Sequence, residues 1–426
     1  NQGGNQGGNT GQPAFTVTRE SLDSAAQQAN GRSRAPWLSP DGNLVAFDSE
    51  ASNLVAGDTN GARDVFVRDR QTGVTTRVSL SSSGVQGDQG SSSVTVSADG
   101  RFAVFESLAT NLVPNDSNGV GDVFLHDRQT ATTTRVSVDS VGTQGNGLSG
   151  APGISADGRL VVFDSIADNL VPNDTNGVSD VFLHDRQTGA TTRISLDSAG
   201  NQADGQSGAP FISADGGIVV FESDASNLVP GDTNGVADIF ARNLVTGATT
   251  RVSVDSAGNQ QNAASGADFR EVVCSGDGRF VAFTSFATNL VNPPTNGFPQ
   301  VYLHDRQTGL TRLISADAAG NPGTADSALA FASLDGRFVT FESDASNLVP
   351  NDTNGVSDLF MLDLQTGTLQ RLSVDATGAQ GNGASGRGVF SGDGRFVGYE
   401  SNASNLVPDD TNGATDGFLV RNPALP

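Results

Sequence analysis

A tetrapeptide, Asp58-Thr59-Asn60-Gly61, followed three residues later by Asp64, recurs with small changes through this chain of 426 residues. Seven copies begin at Asp58, Asp116, Asp174, Asp232, Pro294, Asp352 and Asp410, spaced 58 residues apart except for one step of 62. A fixed period of this length indicates a repeat architecture. Because the composition does not change between copies, we expect one closed repeat domain rather than several ordinary ones.

One repeat contains four strand patterns. In the third copy, Asp157-Gly158 is a hairpin signal, and the segments around it are rich in β-branched and aromatic residues or alternate polar with apolar ones. The predicted strands are residues 153–155, 160–165, 181–184 and 191–196. Four short antiparallel strands, repeated seven times, predict an all-β seven-bladed β-propeller over residues 13–426. Residues 1–12, rich in Gly, Asn and Gln, are expected to be a flexible tail.

A second motif, S-x-D-G-R-x-V-x-F, opens several copies. It occurs at Ser155–Phe163, Ser275–Phe283, Ser333–Phe341 and, with Tyr in the last place, Ser391–Tyr399. With the DRQTG turn that follows later, it resembles the WD40-like (PD40) repeat of TolB-type proteins. The resemblance covers nearly the whole chain beyond residue 12, apart from a longer loop between the second and third strands. It implies a propeller and says little about function, because such propellers serve many purposes.

The two ends of the chain complement each other. The last copy lacks a fourth strand, whereas Ala14–Pro36 aligns with Thr188–Pro210 at a shift of three repeats. We therefore expect Phe15–Leu22 to complete the last blade and cover both open edges. The alternative is that residues 13–23 pair with a neighbouring molecule, which would make the chain a subunit of an extracellular homopolymeric assembly.

The composition limits the possible partners. With 47 acidic residues against 24 basic ones, the net charge is -23, which speaks against nucleic acid or an anionic membrane and favours cations. All the basic residues are Arg, so lysine chemistry is excluded. The one cysteine, Cys274, is predicted to be a small buried hydrophobe, and no segment is apolar enough to span a membrane. The start at Asn1 leads us to expect an exported protein: secreted, on the cell surface or periplasmic.

The repeated loop has the oxygen ligands that calcium prefers. Two carboxylates six residues apart enclose an Asn amide oxygen and a Gly that permits a sharp turn. The spacing resembles short FG-GAP-like calcium loops of integrin-type propellers, although it is two residues shorter, and EF-hand loops without their terminal Glu. The acid near the end of the second strand is a further candidate ligand. The alternative is that the loop is only a β-turn capped by Asp and Asn.

The fifth copy favours calcium. There, Pro294, Gln300 and Thr284 replace the two loop acids and the strand acid, while the turn-forming residues remain. Joint loss of three distant acids indicates a shared cation, so we predict about six calcium sites, none in the fifth blade, and a melting temperature that calcium raises. The predicted ligands are Asp48, Asp58, Asn60, Asp64, Glu106, Asp116, Asn118, Asp122, Asp164, Asp174, Asn176, Asp180, Glu222, Asp232, Asn234, Asp238, Glu342, Asp352, Asn354, Asp358, Glu400, Asp410, Asn412 and Asp416.

No catalytic residues are predicted, because no Ser, His and acid set stands out from the repeats. His126, His184 and His304 share one position and are expected on the surface of an outer strand. The predicted function is a calcium-stabilised binding or scaffold module whose protein or carbohydrate partner contacts the loop-bearing face. A calcium-dependent polysaccharide-active enzyme is a further alternative. The insertion Asp268–Glu271 in the fifth copy is the best candidate for a partner contact, and neutral drift is the alternative explanation.

Overall fold

The computed structural model describes residues 15–266 and 272–425, which form 28 strands in seven four-stranded antiparallel sheets. The predicted all-β seven-bladed propeller is confirmed. Each sheet is one blade, numbered here along the chain, and the first strands of neighbouring blades contact each other around a central channel. Among the described residues, no helix is long and apolar enough to cross a membrane. The predicted partner contact at Asp268–Glu271 lies outside the described residues.

The strands of each blade run from the channel outwards. The inner strands are β2 (Ser33–Leu38), β6 (Ser91–Val96), β10 (Ser149–Ile154), β14 (Ser207–Ile212), β18 (Val272–Cys274), β22 (Ser327–Ala332) and β26 (Ser385–Phe390). The second strands are β3 (Leu44–Ser49), β7 (Phe102–Ser107), β11 (Leu160–Ser165), β15 (Ile218–Ser223), β19 (Phe280–Ser285), β23 (Phe338–Ser343) and β27 (Phe396–Ser401).

The two remaining positions complete each blade. The third strands are β4 (Asp64–Asp69), β8 (Asp122–Asp127), β12 (Asp180–Asp185), β16 (Asp238–Asn243), β20 (Gln300–Asp305), β24 (Asp358–Asp363) and β28 (Asp416–Arg421). The outer strands are β5 (Val74–Arg77), β9 (Thr132–Arg135), β13 (Ala190–Arg193), β17 (Thr249–Arg251), β21 (Leu310–Leu313), β25 (Thr368–Arg371) and β1 (Val17–Arg19).

The N-terminal strand closes the ring within its own chain. β1 pairs antiparallel with β28, with Val17 opposite Val420, and the backbone N–H of Glu20 donates to the carbonyl of Gly417 at 2.8 Å. The Glu20 carboxylate then accepts a hydrogen bond from Arg70 of blade 1 at 3.0 Å. The segment therefore completes blade 7 and fastens it to blade 1, as the sequence predicts, and covers the edge that β28 would otherwise expose.

The core consists of apolar layers between and within blades. Second and third strands are buried on both faces, so their sequences are near-continuous apolar runs. Within blade 3, for example, Phe163 stacks on Phe182 with ring centroids 5.8 Å apart. Cys274 is buried in this core, and its burial raises the pKa of the thiol far above its usual range, as expected of a small hydrophobe rather than a nucleophile.

The histidines differ from the prediction. His126 and His304 are buried rather than on the surface, and His184 is largely covered. His126 Nδ1 hydrogen-bonds to Thr133 Oγ1 on the next strand at 2.8 Å, and Thr133 in turn donates to the carbonyl of Leu80 in the preceding linker. Burial lowers the pKa of all three imidazoles. They are covered because the linker from the previous blade lies over this position.

Candidate functional site

The loops between second and third strands share one face of the propeller with the linkers between blades; we call it the loop face. We call the two aspartates of each repeated loop, such as Asp174 and Asp180, the loop pair. In blade 3 both contact Arg193 of the outer strand: Nη2 lies 3.0 Å from Asp174 Oδ2, and Nε lies 3.4 Å from Asp180 Oδ2. The three side chains are 6%, 4% and 0% exposed, so this is a buried ion-pair triad.

The loop pair also receives neutral donors. Ser195 Oγ donates to Asp180 Oδ1 at 2.5 Å, and Asn176 Nδ2 donates to Asp180 Oδ2 at 3.0 Å. The Asn176 Oδ1 atom, a predicted metal ligand, instead accepts the backbone N–H of Val178 at 3.3 Å, which is the turn-capping role. Burial raises the pKa of Asp180, while Ser195 and Arg193 act in the opposite direction. The carboxylates are therefore held by N–H and O–H donors on the protein itself.

Six blades share this arrangement. Each loop pair contacts one arginine at the same position of the outer strand, with N to O distances between 3.0 and 3.6 Å. The triads are Asp58, Asp64 and Arg77; Asp116, Asp122 and Arg135; Asp174, Asp180 and Arg193; Asp232, Asp238 and Arg251; Asp352, Asp358 and Arg371; and Asp410, Asp416 and Arg19. In each, the loop Asn side chain (Asn60, Asn118, Asn176, Asn234, Asn354 or Asn412) donates to the second aspartate.

Blade 5 lacks the arginine as well as the acids. Leu313 occupies the arginine position on β21, opposite Pro294 and Gln300 in the sequence pattern. Gln300 Oε1 accepts the hydroxyl of Ser315 at 2.6 Å, and its Nε2 donates to the carbonyl of Gly323 at 3.0 Å. A neutral amide thus replaces a charged carboxylate where no cation faces it. The joint substitutions that favour calcium in the sequence also fit an arginine as the shared cation.

The strand acids lie apart from the loop pairs. Glu106 accepts the Ser92 hydroxyl at 2.9 Å and the backbone N–H of Ala151 at 3.4 Å, and Asp164 accepts the N–H of Ala209 at 3.0 Å. Each of these acids therefore binds a bulge in the inner strand of the next blade, where residues such as Ala151 have positive φ. Their role here is to join neighbouring blades around the channel.

Close packing explains why a glycine precedes some of the bulges. A Cβ added at Gly150 would lie 2.8 Å from Glu106 Oε2, and one at Gly386 would lie 1.8 Å from Glu342 Oε2. In blade 6 the equivalent residue is Ala328, and the strand residue of the preceding blade is the shorter Thr284. Where blade 5 has the shorter Thr284 in place of the strand acid, blade 6 thus has Ala328 in place of the glycine that faces it.

In none of the six predicted calcium sites do the two loop aspartates and the strand acid come together as one group of ligands. Across residues 15–266 and 272–425, no group of three or more His, Cys, Asp or Glu side chains is placed to hold a metal ion. The structure unites the loop pair and the loop Asn but separates them from Asp48, Glu106, Asp164, Glu222, Glu342 and Glu400. Because a guanidinium lies against both carboxylates, this donor set does not fit a calcium ion, and calcium binding stays a prediction.

The central channel holds a second candidate site, which sequence patterns did not indicate. A cavity of about 300 Å³ lies in it, lined by Arg34, Arg63, Arg387, Asp48 and Glu106 together with Trp37 and other apolar residues; we call it the loop-face cavity. Inner strands begin at the loop face, so the early positions of Arg34 on β2 and Arg387 on β26 place both near that opening.

An aromatic group separates this cavity from the other end of the channel. The Trp37 ring lies 6.2 Å from Phe211 of blade 4 and 6.2 Å from Phe331 of blade 6, measured between centroids. A smaller apolar cavity of about 100 Å³ shares Trp37 and Phe211 with the loop-face cavity. The aromatic group thus forms the floor of the loop-face cavity, and all three rings are partly exposed.

The lining residues break the repeat symmetry. At the positions of Arg34, Arg63 and Arg387, the other blades with a fully described inner strand have small or apolar residues. These are Ser92, Gly150, Gly208, Ala328 and Gly386 for Arg34; Gly121, Ser179, Ala237, Ser357 and Thr415 for Arg63; and Ala35, Ser93, Ala151, Ala209 and Leu329 for Arg387. Aligning the repeats position by position would have revealed these three arginines from the sequence alone.

The charges around the cavity are unevenly compensated. Arg63 pairs with Glu50 at 3.0 Å and lies 3.9 Å from Asp48. Burial raises the pKa of Asp48 to about 6, against the effect of Arg63. Burial and the nearby Glu400 raise the pKa of Glu342 to about 7. Among the described residues, no carboxylate oxygen lies within 4.0 Å of a side-chain nitrogen of Arg34 or Arg387. Both arginines nevertheless act against the rise in the pKa of Asp48, and Arg387 acts against the rise in the pKa of Glu342.

The fold and the channel define a seven-bladed β-propeller with four-stranded blades, and comparisons with solved structures agree. An oligogalacturonate lyase from Vibrio parahaemolyticus is 14% identical, with a TM-score of 0.55 and coverage of 96% of this chain and 97% of that one. The β-propeller domain of the Trilobed protease from Pyrococcus furiosus is 10% identical, with a TM-score of 0.52 and coverage of 87% and 91%. At these identities the likeness shows the fold alone.

TolB from Acinetobacter baumannii is also similar, at 17% identity, a TM-score of 0.42 and coverage of 80% of this chain and 63% of that one. No protein-family model matches the sequence, and no curated protein sequence matches it. The resemblance of the repeat to TolB-type proteins is therefore not accompanied by a family assignment.

Proposed function

We propose that this chain is a binding module, as predicted for a secreted or surface-exposed protein, and that its ligand occupies the loop-face cavity. The proposal rests on one observation: side chains that differ from blade to blade line a single cavity. Arg34, Arg63, Arg387 and Trp37 all line it, whereas the repeated triads and turns are alike in six blades. Blade stability requires only the repeated residues, so a local departure from them indicates recognition.

The cavity limits what can bind. Its volume of about 300 Å³ lies at the small end of ligand pockets. The aromatic floor lies between this cavity and the smaller apolar one. These features favour a small molecule, or the end of a longer chain, entering from the loop face.

The proposal can be tested by the intrinsic fluorescence of the protein. Trp37 is the only tryptophan in the sequence, so intrinsic fluorescence reports directly on the cavity floor. We expect a saturable fluorescence change when the protein is titrated with at least one class in a panel of acidic, neutral and basic glycans and peptides. Thermal unfolding followed by calorimetry provides an independent measurement, since a ligand that binds only the folded state raises the melting temperature. No saturable change and no thermal shift across the panel would contradict the proposal.

The alternatives make different predictions for the same samples. A polysaccharide-active enzyme would convert its glycan, and chromatography of the mixture would detect the products. A homopolymeric assembly would appear as concentration-dependent oligomers. In the structure, β1 lies in the ring of its own chain, so assembly through that strand would require the ring to open.

A further inference from the structure

The loop-face cavity combines three arginines with partly exposed aromatic rings. We propose that it binds the carboxylate-bearing end of an acidic saccharide, with Arg34 and Arg387 holding the carboxylates and Trp37 packing against a sugar ring. This inference rests on the proposed function, because it names the ligand class for the same cavity.

The two arginines Arg34 and Arg387 favour a ligand with carboxylates. In a chain of net charge -23, guanidinium groups have many carboxylates to pair with, and the six triad arginines do so. Arg34 and Arg387 line the cavity, and no carboxylate oxygen of a described residue lies within 4.0 Å of either guanidinium. The fork of N–H donors on a guanidinium matches a carboxylate and binds it in a bidentate manner.

Arg387 also differs from the equivalent residues of the other blades. Its φ of 53° lies in the left-handed region, which is unfavourable for residues other than Gly. The equivalent bulge positions in other blades carry mostly short side chains, such as Ser93, Ala151 and Ala209. The bulge conformation itself is shared, since Ser93, Ala151, Ala209 and Leu329 also have positive φ, and the long charged side chain beside the cavity is what distinguishes Arg387.

The acids near the cavity have partners of their own. Glu106 is already hydrogen-bonded to Ser92 and Ala151, and Glu342 accepts the backbone N–H of Arg387. With its pKa raised to about 7, Glu342 is partly protonated at neutral pH. Arg63 lies 3.9 Å from Asp48 and also pairs with Glu50 at 3.0 Å. Three arginines, Arg34, Arg63 and Arg387, line the cavity against two acids, Asp48 and Glu106, so the lining carries a net positive charge.

The floor and walls favour a sugar over a purely aliphatic acid. Trp37, Phe211 and Phe331 present partly exposed rings, which combine large contact area with defined geometry. The hydroxyl-bearing residues Ser92, Ser93 and Thr95 also line the cavity and can exchange hydrogen bonds with ligand hydroxyls. Carboxylate, hydroxyl and ring-face contacts together match a uronic acid unit.

The test compares ligands of the same shape and different charge. Trp37 fluorescence and calorimetry would be recorded with a uronate trisaccharide, with the same trisaccharide after methyl esterification of its carboxylates, and with triglutamate. We expect the uronate to bind at least roughly tenfold more tightly than its ester, since each lost charged hydrogen bond weakens binding by about that factor. Equal binding of ester and acid, or no binding of the acid, would overturn the inference. Preference for triglutamate would overturn it in favour of an acidic peptide.

Matched variants separate specific contacts from overall charge. Arg34→Ser with Arg387→Ala introduces residues that other blades already have at these positions, and should weaken uronate binding by roughly tenfold or more. Arg32→Ala with Arg421→Ala removes two exposed arginines that do not line the cavity and should leave binding unchanged. Equal loss in both pairs would refute a specific site. If other ligands alter Trp37 fluorescence while uronates do not, the ligand class is wrong but the binding module stands.

Discussion

Replacing Arg193 with Leu tests whether the protein's own arginine or a calcium ion neutralises the loop pairs. Leu is the residue that blade 5 has at this position. In blade 3 the change leaves Asp174 and Asp180, 4% and 0% exposed, without the cation that lies 3.0 and 3.4 Å away. Removing one partner of a buried ion pair typically costs about 3–5 kcal/mol. We expect a loss of that order in the free energy of unfolding of Arg193→Leu.

A compensated variant isolates the electrostatic part. Arg193→Leu combined with Asp174→Asn and Asp180→Gln approximates the neutral arrangement of blade 5, where Gln300 takes the place of the second aspartate. Replacing a whole buried ion pair with neutral residues is often close to neutral in stability, so the triple variant should recover most of the loss. Urea denaturation gives the free energies, and hydrogen exchange should place the destabilisation in blade 3.

Comparing melting temperatures in calcium and in chelator distinguishes the two explanations. If arginine is the cation, the wild type melts at the same temperature in calcium and in chelator, and calcium does not restore Arg193→Leu. A wild type that calcium stabilises and chelator destabilises would refute the arginine explanation and support the predicted calcium sites. So would an Arg193→Leu variant as stable as the wild type.

Three further outcomes are expected. Glu342 has a pKa of about 7 in the folded protein against an ordinary 4.5, so it binds a proton more readily when the protein is folded. Its contribution to stability is therefore lost as the pH rises from about 4.5 to about 7. Glu342→Gln should remove up to about 3 kcal/mol of this pH dependence, measured by thermal melts at pH 5 and pH 8. Deleting residues 1–23 exposes the edge of β28 and should produce oligomers in size-exclusion chromatography, whereas a monomer of unchanged stability would contradict closure by β1. Gly386→Ala should lower the melting temperature because its Cβ would meet Glu342, and adding Glu342→Thr, as in the Thr284 and Ala328 pair, should restore it; no rescue would argue against the steric account.

Much of the fold could be predicted from the sequence because its determinants are local and repeated. Each Asp-Gly turn is fixed by residues within the turn: Asp157 accepts the Ser155 hydroxyl at 2.6 Å and the backbone N–H of Arg159 at 2.9 Å, and Gly158 has a φ of 72°. The N-terminal strand could be placed because it carries the repeat pattern in the wrong part of the chain. The last blade lacks a fourth strand, and the N-terminal strand has no blade of its own, so the two are predicted to pair.

The loop chemistry could not be predicted in the same way. The pairing of Arg193 with Asp174 joins residues 19 positions apart through the side-by-side packing of two strands and a loop, and no local pattern indicates that contact. The same oxygen-rich loop serves a metal ion or a guanidinium, depending on what the next strand presents. The informative signal is Leu313, where the basic residue disappears together with the acids, and it requires comparison across whole repeats.

The position of the channel arginines connects binding to ring closure. Arg34 lies on blade 1 and Arg387 on blade 7, so the proposed ligand contacts the two blades that meet where the chain ends join. That junction is also held by β1, through Glu20 with Arg70 on one side and Arg19 with Asp410 on the other. A ligand bound by both arginines would oppose separation of these blades, so it should slow hydrogen exchange in β1 and β28 more than in blade 3. Uniform protection of all blades would show instead that the ligand stabilises the ring without acting at its junction.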